Sequence, residues 1–181
     1  LWLPGLEAGD LGRSPLLRAR VDAVASFRAA SSAAPTRDYG RPTLFRQISQ
    51  PATRYLGIPV HVSETREYFL SGYFDPDVIA SNANFIAPDP SGVAFAVISS
   101  SMFISWQRVV GGRLKSDLRF NKLLSWNTFP LHPLTAAQRS ELIAAGQVVL
   151  EARALYPDAS LATLYERHGI PGRLLDAHRA L

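Results

Sequence analysis

The chain has 181 residues, of which 47% are hydrophobic and 19% charged, a globular composition that excludes a disordered chain. It contains no cysteine, which excludes a disulfide framework and any thiolate metal site. The formal net charge is +4, a small excess whose position along the chain matters more than its size.

The first predicted element is a helix over residues 14–31. It begins with the Ser14-Pro15 pair, a good helix start, and its apolar residues recur at helical spacing. These apolar residues are Leu16, Leu17, Val21, Val24 and Phe27. A loop of small residues follows from Ser31 to Tyr39. The chain starts without Met and ends in a helical pattern at Leu181, so we expect it to be a piece of a longer protein.

Short strands and turns are predicted from Thr43 onward. The three predicted strands are TLFRQIS (43–49), TRYLGIPVHVS (53–63) and REYFLSGYF (66–74). Residues 93–110 are then predicted to be one helix ended by Gly111-Gly112. Its stripe consists of Phe95, Ile98, Met102, Trp106, Val109 and Val110. Two more strands are predicted, over 113–121 and 123–129.

Beyond Pro133 the pattern is helical throughout. Thr135 is a candidate cap for a long helix that Pro157 stops, and Ser160 is a candidate cap for the next one. A third helix is expected after Gly172. The sequence therefore predicts an α+β fold, a small domain of mixed strands and helices followed by a short helical C-terminal region. Trp106, Trp126 and Phe129 are predicted to be core residues.

The usual catalytic motifs are missing from the sequence. There is no GxGxxG or GxxxxGK[ST] phosphate loop, no HExxH and no GxSxG. The four histidines are scattered, and the pair Asp75 and Asp77 fits a turn better than a cation site. We therefore expect neither a catalytic residue nor a metal site in this chain.

The positive charge is concentrated in one segment, residues 103–126. Five cations lie there against the single Asp117, so this segment accounts for the whole net charge of +4. The five are Arg108, Arg113, Lys115, Arg119 and Lys122. Such a concentration is the footprint expected of a polyanion partner, although a solvated basic face would carry the same residues.

Within this segment, residues 113–120 alternate polar and apolar. In a single strand, positions 113, 115, 117 and 119 would share one face. Arg and Lys can donate to guanine O6 and N7, and Asp can accept from cytosine N4, so this row could read bases in a DNA major groove. An ordinary exposed strand with cross-strand ion pairs remains the alternative.

Three consecutive blocks of the chain carry a resemblance to a known family. They are RPTLFRQISQPATRYLGIPVHVSETREYFLSGYFDPDVIASNANFIAPD, SSSMFISWQRVVGGRLKSDLRFNKLLSWNTFPLHPLT and VLEARALYPDASLATLYERHGIPGRLLDAHRAL. Together they resemble the C-terminal part of MmeI-like (type IIL/IIG) restriction–modification DNA methyltransferases, over roughly residues 14–181. The stretch LYERHGIP departs from the LYDP-like pattern of relatives.

The resemblance implies roles for particular residues. Lys115 and Asp117 look like the pair that reads one outer base pair of the target, and Arg119 like a reader of a neighbouring pair with a residue near Ala83. Arg113 belongs to the more general GRLKS block and would contact phosphate instead. Asn82 and Asn84, beside Ala83, are expected to face the same groove. Lys122 and Arg108 complete the expected DNA-binding residues.

The resemblance also implies a domain organisation and partners. We expect a linker helix from a methyltransferase domain over residues 1–40, a target recognition domain over 41–133 and a C-terminal helical region over 134–181. The parent is expected to be an adenine-N6 DNA methyltransferase with its S-adenosylmethionine site and NPPY motif elsewhere, so no cofactor is expected in this chain. The expected partners are double-stranded DNA and the methyltransferase domain of the same chain.

Two further expectations concern location and an alternative role. No apolar run approaches the ~20 residues of a membrane span, and the N-terminus does not have the pattern of a signal peptide. We therefore expect no membrane partner and a bacterial cytoplasmic location. The alternative function is a structural or docking element of the same enzyme, with base reading elsewhere.

Overall fold

The computed structural model describes residues 1–181 apart from the side chain of Ala8, and it divides into two compact units, Leu1–Ser49 and Gln50–Leu181. The helices of the first unit are α1 (Ala8–Arg13), α2 (Pro15–Ala29) and α3 (Ala34–Arg37). The strands of the second unit are β1 (Tyr55–Pro59), β2 (His61–Val62), β3 (Gly72–Phe74), β4 (Asn84–Ala87), β5 (Gly112–Leu114) and β6 (Asp117–Arg119). Its helices are α4 (Val93–Ser99), α5 (Ser101–Val110), α6 (Ala136–Ala154), α7 (Leu161–Leu164) and α8 (Gly172–Ala180), with a π-helical turn over Lys122–Trp126. The predicted α+β class is confirmed.

In the first unit, α2 begins as predicted, since the Ser14 hydroxyl accepts a hydrogen bond from the Leu17 amide at 3.3 Å. The helical spacing of its apolar residues did not predict which of their side chains are buried. Val21 is buried, but Leu16 and Phe27 are 81% and 75% exposed.

The strand predicted over residues 43–49 is wrong, because this segment consists of turns. The Arg28 guanidinium donates to the carbonyls of Arg41 and Leu44, both at 2.8 Å. The Arg28 side chain thus satisfies backbone carbonyl groups that a neighbouring strand would otherwise bind, and the segment forms turns instead of a strand.

In the second unit, two three-stranded antiparallel sheets have the orders β3-β1-β4 and β2-β6-β5. The predicted strand over 53–63 is confirmed as β1 and β2, which are separated only by Val60. One segment, with a bend at Val60, therefore takes part in both sheets and joins them. The strand predicted over 66–74 is present only in its last three residues, β3.

The core beside the second sheet is aromatic. The Phe69 ring meets those of Phe103 and Phe120 edge-on, with centroids 5.8 and 5.9 Å away. Leu118 of β6 is completely buried in the same cluster. Since buried residues of this size contribute roughly 1.5–3 kcal/mol each, Leu118 and Phe120 anchor β6 firmly to the core.

The helix predicted over residues 93–110 is broken into α4 and α5, which are bent by 67°. Ser100 causes the break, because its hydroxyl accepts from the Phe103 amide at 3.1 Å and so caps a new helix. The predicted stripe is consequently split, and Met102 and Val109 are 58% and 84% exposed. Among the described residues, no single helix is long and apolar enough to cross a membrane; α4 and α5 meet that criterion only as a bent pair.

The strand predicted over 123–129 is also wrong, because Asn121 starts the π-helical turn there. Its side-chain oxygen accepts from the amides of Leu123 and Leu124, at 2.8 and 3.1 Å. Trp126 and Phe129 pack against the core as predicted. Trp106 is half-buried; its indole N–H donates to the Ser125 carbonyl at 3.2 Å.

The C-terminal helices begin where the sequence predicted. Thr135 and Gln138 form a capping box at the start of α6, with bonds of 3.2 and 3.0 Å. Ser160 caps α7 by accepting from the Thr163 amide at 3.1 Å. Every element that the structure describes in residues 134–181 is helical, which confirms the predicted C-terminal region.

A close approach of α6 to α4 depends on Gly146. A Cβ atom added there would lie 2.8 Å from the Ala96 Cβ, closer than real carbon contacts allow. We therefore expect Gly146→Ala to lower the free energy of unfolding by ~1–3 kcal/mol in spite of the better helix propensity of alanine. Gly172→Ala is the matched control, since a Cβ there meets nothing within 4 Å. Equal unfolding free energies of the two variants in urea would contradict this prediction.

A buried polar chain ties the C-terminal helices to the rest of the unit. The Arg153 Nε donates to the Tyr165 hydroxyl at 2.8 Å, and that hydroxyl lies 2.5 Å from His178 Nε2. His178 Nδ1 lies 3.1 Å from the Ser99 carbonyl oxygen, which can only accept, so Nδ1 carries the proton and Nε2 accepts from Tyr165. The imidazole is therefore neutral in this arrangement.

Because of His178, the free energy of unfolding should decrease as the pH is lowered. Burial, and next the positive charge of Arg153, lowers the pKa of His178 from 6.5 to about 3. Between these values the unfolded chain binds a proton that the folded chain does not, so unfolding free energy is lost as the pH falls from 6.5, at up to ~1.4 kcal/mol per pH unit. His178→Gln should remove this part of the pH dependence in urea unfolding between pH 7 and pH 4. An unchanged slope in the variant would contradict the assignment.

Candidate nucleic-acid interface

The segment from Gly112 to Phe120 forms a hairpin, and the single strand that its alternating pattern predicted is wrong. The register pairs are Gly112 with Arg119, Arg113 with Leu118, and Leu114 with Asp117. Lys115 and Ser116 form the two-residue turn between the strands. The sequence lacks the Asn-Gly or Asp-Gly dipeptide that usually announces such a turn.

The hairpin changes which side chains share a face. Directly opposed residues, and alternate residues along one strand, lie on the same face of a sheet. Asp117 and Arg119 therefore share a face, as predicted. Arg113 lies on the other face, paired with Leu118, so the prediction that it belongs to the same row is wrong. Lys115 lies in the turn, outside the row.

Arg113 makes two hydrogen bonds within the hairpin region. Its Nη1 donates to the Ser116 carbonyl at 2.9 Å, and its Nη2 donates to the Arg108 carbonyl at 3.2 Å. It thereby links the turn to the C-terminal end of α5. These bonds give Arg113 a role in holding the turn, whether or not it also contacts a partner.

Lys115 has an unusual backbone conformation. Its φ angle is +57°, in the left-handed region that costs a residue with a side chain roughly 1–2 kcal/mol. The side chain is exposed, and among the described residues its ammonium group has neither a hydrogen bond nor an ion pair within the chain. The turn therefore presents a free cation at its tip.

Asp117 is half-buried and fixed by its neighbours. Its Oδ1 accepts a long hydrogen bond, 3.4 Å, from the Glu64 amide. The described residues include no salt bridge to Asp117, although Arg119 lies two residues away on the same face. The described residues of the row therefore show no ion pair between Asp117 and Arg119.

The edge strand β2 brings His61 beside Asp117 and Arg119 of β6. His61 is the cross-strand partner of Arg119, and both are exposed. No local sequence pattern pointed to His61, because it lies fifty-eight residues before Arg119, its partner in the sheet. Only the position of His61 in an alternating strand could have suggested an outward side chain.

The loop over residues 81–84 lies on the other side of the same segment. The Val60 amide donates to the Ala83 carbonyl at 2.9 Å, and the Val60 carbonyl accepts from the Phe120 amide at 2.8 Å. Ser81 shapes the loop, since its hydroxyl oxygen accepts hydrogen bonds from the backbone amide of Ala83 and from the side-chain Nδ2 of Asn84, both at 3.3 Å. Val60 thus connects the loop that contains Asn82 with the end of the hairpin.

A buried glutamine supports Arg119 from below. Gln107 is completely buried, and its Nε2 donates to the Arg119 carbonyl at 2.9 Å. A Cβ atom at Gly111 would lie 1.8 Å from that same Nε2, so Gly111 must lack a side chain. Sequence reasoning missed Gln107; the signal was a polar residue between apolar positions of the predicted helix.

Arg108 and Lys122 are both exposed, as expected of phosphate-binding residues. The Nη2 of Arg108 donates to the Arg66 carbonyl at 2.7 Å. Arg108 also lines a polar cavity of about 340 Å³ together with two acids and one further arginine. The other lining residues are Glu64, Thr65, Glu67, Arg167 and His168. Charge there is mixed, so Arg108 lies in a less positive environment than the hairpin tip.

The described residues contain no group of three or more His, Asp or Glu side chains that could hold a metal ion. A second cavity, of about 270 Å³, is lined in part by Tyr73 and Asp89. The Asp89 carboxylate accepts from the Tyr73 hydroxyl at 2.7 Å and from the amides of Gly92, Ala94 and Phe95 at 2.8–3.2 Å. Four bonds satisfy a carboxylate, so Asp89 caps α4 and is not free to bind a ligand hydroxyl.

Comparison with known proteins decides the family. The model of the MmeI target recognition domain matches residues 1–133, and that of the MmeI C-terminal domain matches residues 134–181. The chain belongs to the MmeI target recognition domain family. Its fold agrees: a solved structure of the type IIL restriction–modification enzyme MmeI in complex with DNA matches with a TM-score of 0.89 and 41% identity, covering 99% of this chain.

The chain is also similar to a curated protein, DNA methyltransferase A of Bacillus subtilis (strain 168), with 29% identity over the full length of this chain. The chain spans 21% of that relative and 24% of the MmeI chain. It therefore matches only a part of each of these longer proteins.

Proposed function

We propose that this chain is the double-stranded DNA recognition module of an adenine-N6 DNA methyltransferase in a restriction–modification system. Membership of the MmeI target recognition family supports this proposal, as does the similarity to an MmeI structure that contains DNA. The similarity to DNA methyltransferase A of Bacillus subtilis supports the assignment of the parent as a DNA methyltransferase.

One observation carries the proposal: a hairpin and a loop from distant parts of the chain present free polar groups side by side. Arg119 and Asp117 share a face of the hairpin, and the loop around Ala83 is held next to them through Val60. Among the described residues, the Arg119 guanidinium makes no side-chain hydrogen bond or ion pair within the chain. An exposed, unpaired guanidinium is the group that most often reads guanine in a major groove.

The proposed roles differ along this surface. Lys115 and Asp117 address the two bases of one pair, and Arg119 acts on a neighbouring pair together with Ala83. Asn82 and Asn84 face the same groove, where an Asn side chain suits adenine N6 and N7. Lys122, Arg108 and Arg113 contact phosphates, and such contacts fix the orientation without reading sequence.

The remaining roles belong to the proposed parent enzyme. The S-adenosylmethionine site and the catalytic NPPY loop lie in its methyltransferase domain, which is also this module's partner. The Asp89 carboxylate in the 270 Å³ cavity already accepts four hydrogen bonds, so we do not propose that cavity as the cofactor site. We propose residues 1–40 as the linker helix, 41–133 as the recognition domain and 134–181 as the helical region, in a bacterial cytoplasmic enzyme.

Binding of the full-length enzyme to its target duplex at several salt concentrations tests the proposal. Specific affinity should fall steeply with salt, because phosphate contacts release counterions. Arg119→Gln should weaken target binding by ~1–3 kcal/mol and leave binding to an unrelated duplex nearly unchanged. Arg179→Gln is the matched control, since Arg179 pairs with Asp176 at 3.6 Å on α8. Equal target affinities of the two variants would favour the alternative, a structural element with base reading elsewhere.

A further inference from the structure

His61 is a polar side chain that the fold adds directly beside Arg119 in the proposed base-reading row. It belongs to β2, in the segment that joins the two sheets, and its Cα pairs with that of Arg119. Directly opposed residues of an antiparallel pair have Cβ atoms roughly 4.5–5.5 Å apart on the same face. The imidazole and the guanidinium are therefore neighbours on the exposed face of the sheet.

The opposite neighbour of Arg119 leaves that side open. On β5 the pairing residue is Gly112, which has no side chain. A Cβ atom there would lie 3.8 Å from the Arg119 carbonyl oxygen, an ordinary contact, so the backbone tolerates a side chain that the sequence does not supply. Arg119 thus has a polar companion on one side only, and that companion is His61.

The surroundings of His61 also connect it with the loop. Pro59, two residues earlier, pairs with Asn84, and the Val60 amide donates to the Ala83 carbonyl. His61 therefore directly follows the residues to which the loop is attached. Its neighbour Val62 is buried and fixes the face on which the imidazole emerges. Among the described residues, neither ring nitrogen of His61 has a hydrogen-bond partner in the chain.

We infer that His61 is a second reader of the base pair that Arg119 addresses, donating or accepting one hydrogen bond at a base edge. This inference rests on the proposed function. An imidazole has one donor and one acceptor nitrogen when neutral, so it can complement a base edge beside a guanidinium that only donates. A single net hydrogen bond corresponds to about a 2- to 12-fold change in discrimination.

The test compares His61→Ala, Arg119→Ala and His132→Ala in the full-length enzyme. His132 is an exposed histidine outside the surface, and its variant controls for loss of an imidazole. The measurement is the ratio of methylation rates on the target duplex and on duplexes altered at one base pair. We expect His61→Ala to lower this ratio about 2- to 12-fold at the same base pair as Arg119→Ala, with no change for His132→Ala.

The outcomes separate the two claims. If Arg119→Ala lowers the ratio and His61→Ala does not, the inference about His61 fails and the proposed function stands. If neither variant changes the ratio at any pair, the proposed base-reading surface fails as well. A uniform loss of rate on all duplexes with His61→Ala overturns the specificity role. Thermal unfolding checks folding, and His61→Gln, which keeps an N–H donor, should retain part of the discrimination.

Discussion

Replacing Asp117 with asparagine in the full-length enzyme is expected to relax or change the methylated sequence at one base pair. Asparagine keeps the shape of the side chain and its acceptor oxygen for the Glu64 amide, which lies 3.4 Å from Oδ1. It replaces the second carboxylate oxygen with a donor, so it cannot accept from cytosine N4 in the same way. The expected loss of discrimination is ~1–3 kcal/mol, roughly 5- to 150-fold. Sequencing of methylated sites genome-wide measures it.

Lys115 should affect the same base pair and gives an internal control for stability. Because its φ angle is +57°, Lys115→Gly removes the ammonium group and relieves the backbone, whereas Lys115→Ala removes the ammonium group only. Both variants should lose the same discrimination at this base pair. The free energy of unfolding should be about 1 kcal/mol higher for the glycine variant than for the alanine variant. An unchanged methylated motif in both Lys115 variants and in Asp117→Asn would show that these residues do not read DNA.

The second large effect is expected on stability, at Arg153. This residue is 8% exposed, and its Nη1 donates to the Ser71 carbonyl at 2.7 Å. Its guanidinium also lies over the rings of Phe95 and Tyr165, at 5.3 and 5.0 Å. Arg153→Ala leaves a cavity and deprives two buried oxygens of their donor. We expect the free energy of unfolding to fall by ~3–5 kcal/mol.

A companion substitution identifies the source of that loss. Among the described residues Arg153 has no carboxylate partner, and its Nη2 has no hydrogen bond. Arg153→Met fills most of the volume without burying a charge, so it should cost clearly less than Arg153→Ala. Urea unfolding of the 181-residue chain measures both. A cost below about 1 kcal/mol for the alanine variant would contradict the role given to Arg153.

Local capping signals were readable from the sequence, and so the helix starts at Ser14, Thr135 and Ser160 were predicted correctly. Each of these residues acts on amides within three positions, so no distant part of the chain is needed. The same principle explains two failures. Ser100 and Asn121 are also caps, but each lies in an apolar run whose period suggested a continuous helix or strand.

The geometry of the candidate site could be predicted only in part. Alternation correctly put Asp117 and Arg119 on one face, because period two holds within β6. It failed across Lys115, since a turn can occur wherever a left-handed residue is tolerated, and lysine gives no warning of one. The pairing of His61 with Arg119 depends on long-range strand register, which no local pattern records.

Cross-linking tests the central claim most directly: that the hairpin and the loop around Ala83 together face a DNA groove. A photo-reactive amino acid would replace Asn82 in the full-length enzyme, and Val148, which is 48% exposed on α6, would be replaced as the control. After irradiation with the target duplex, we predict a DNA adduct at position 82 and none at position 148. No adduct at position 82, or equal adduct yields at positions 82 and 148, would contradict the account.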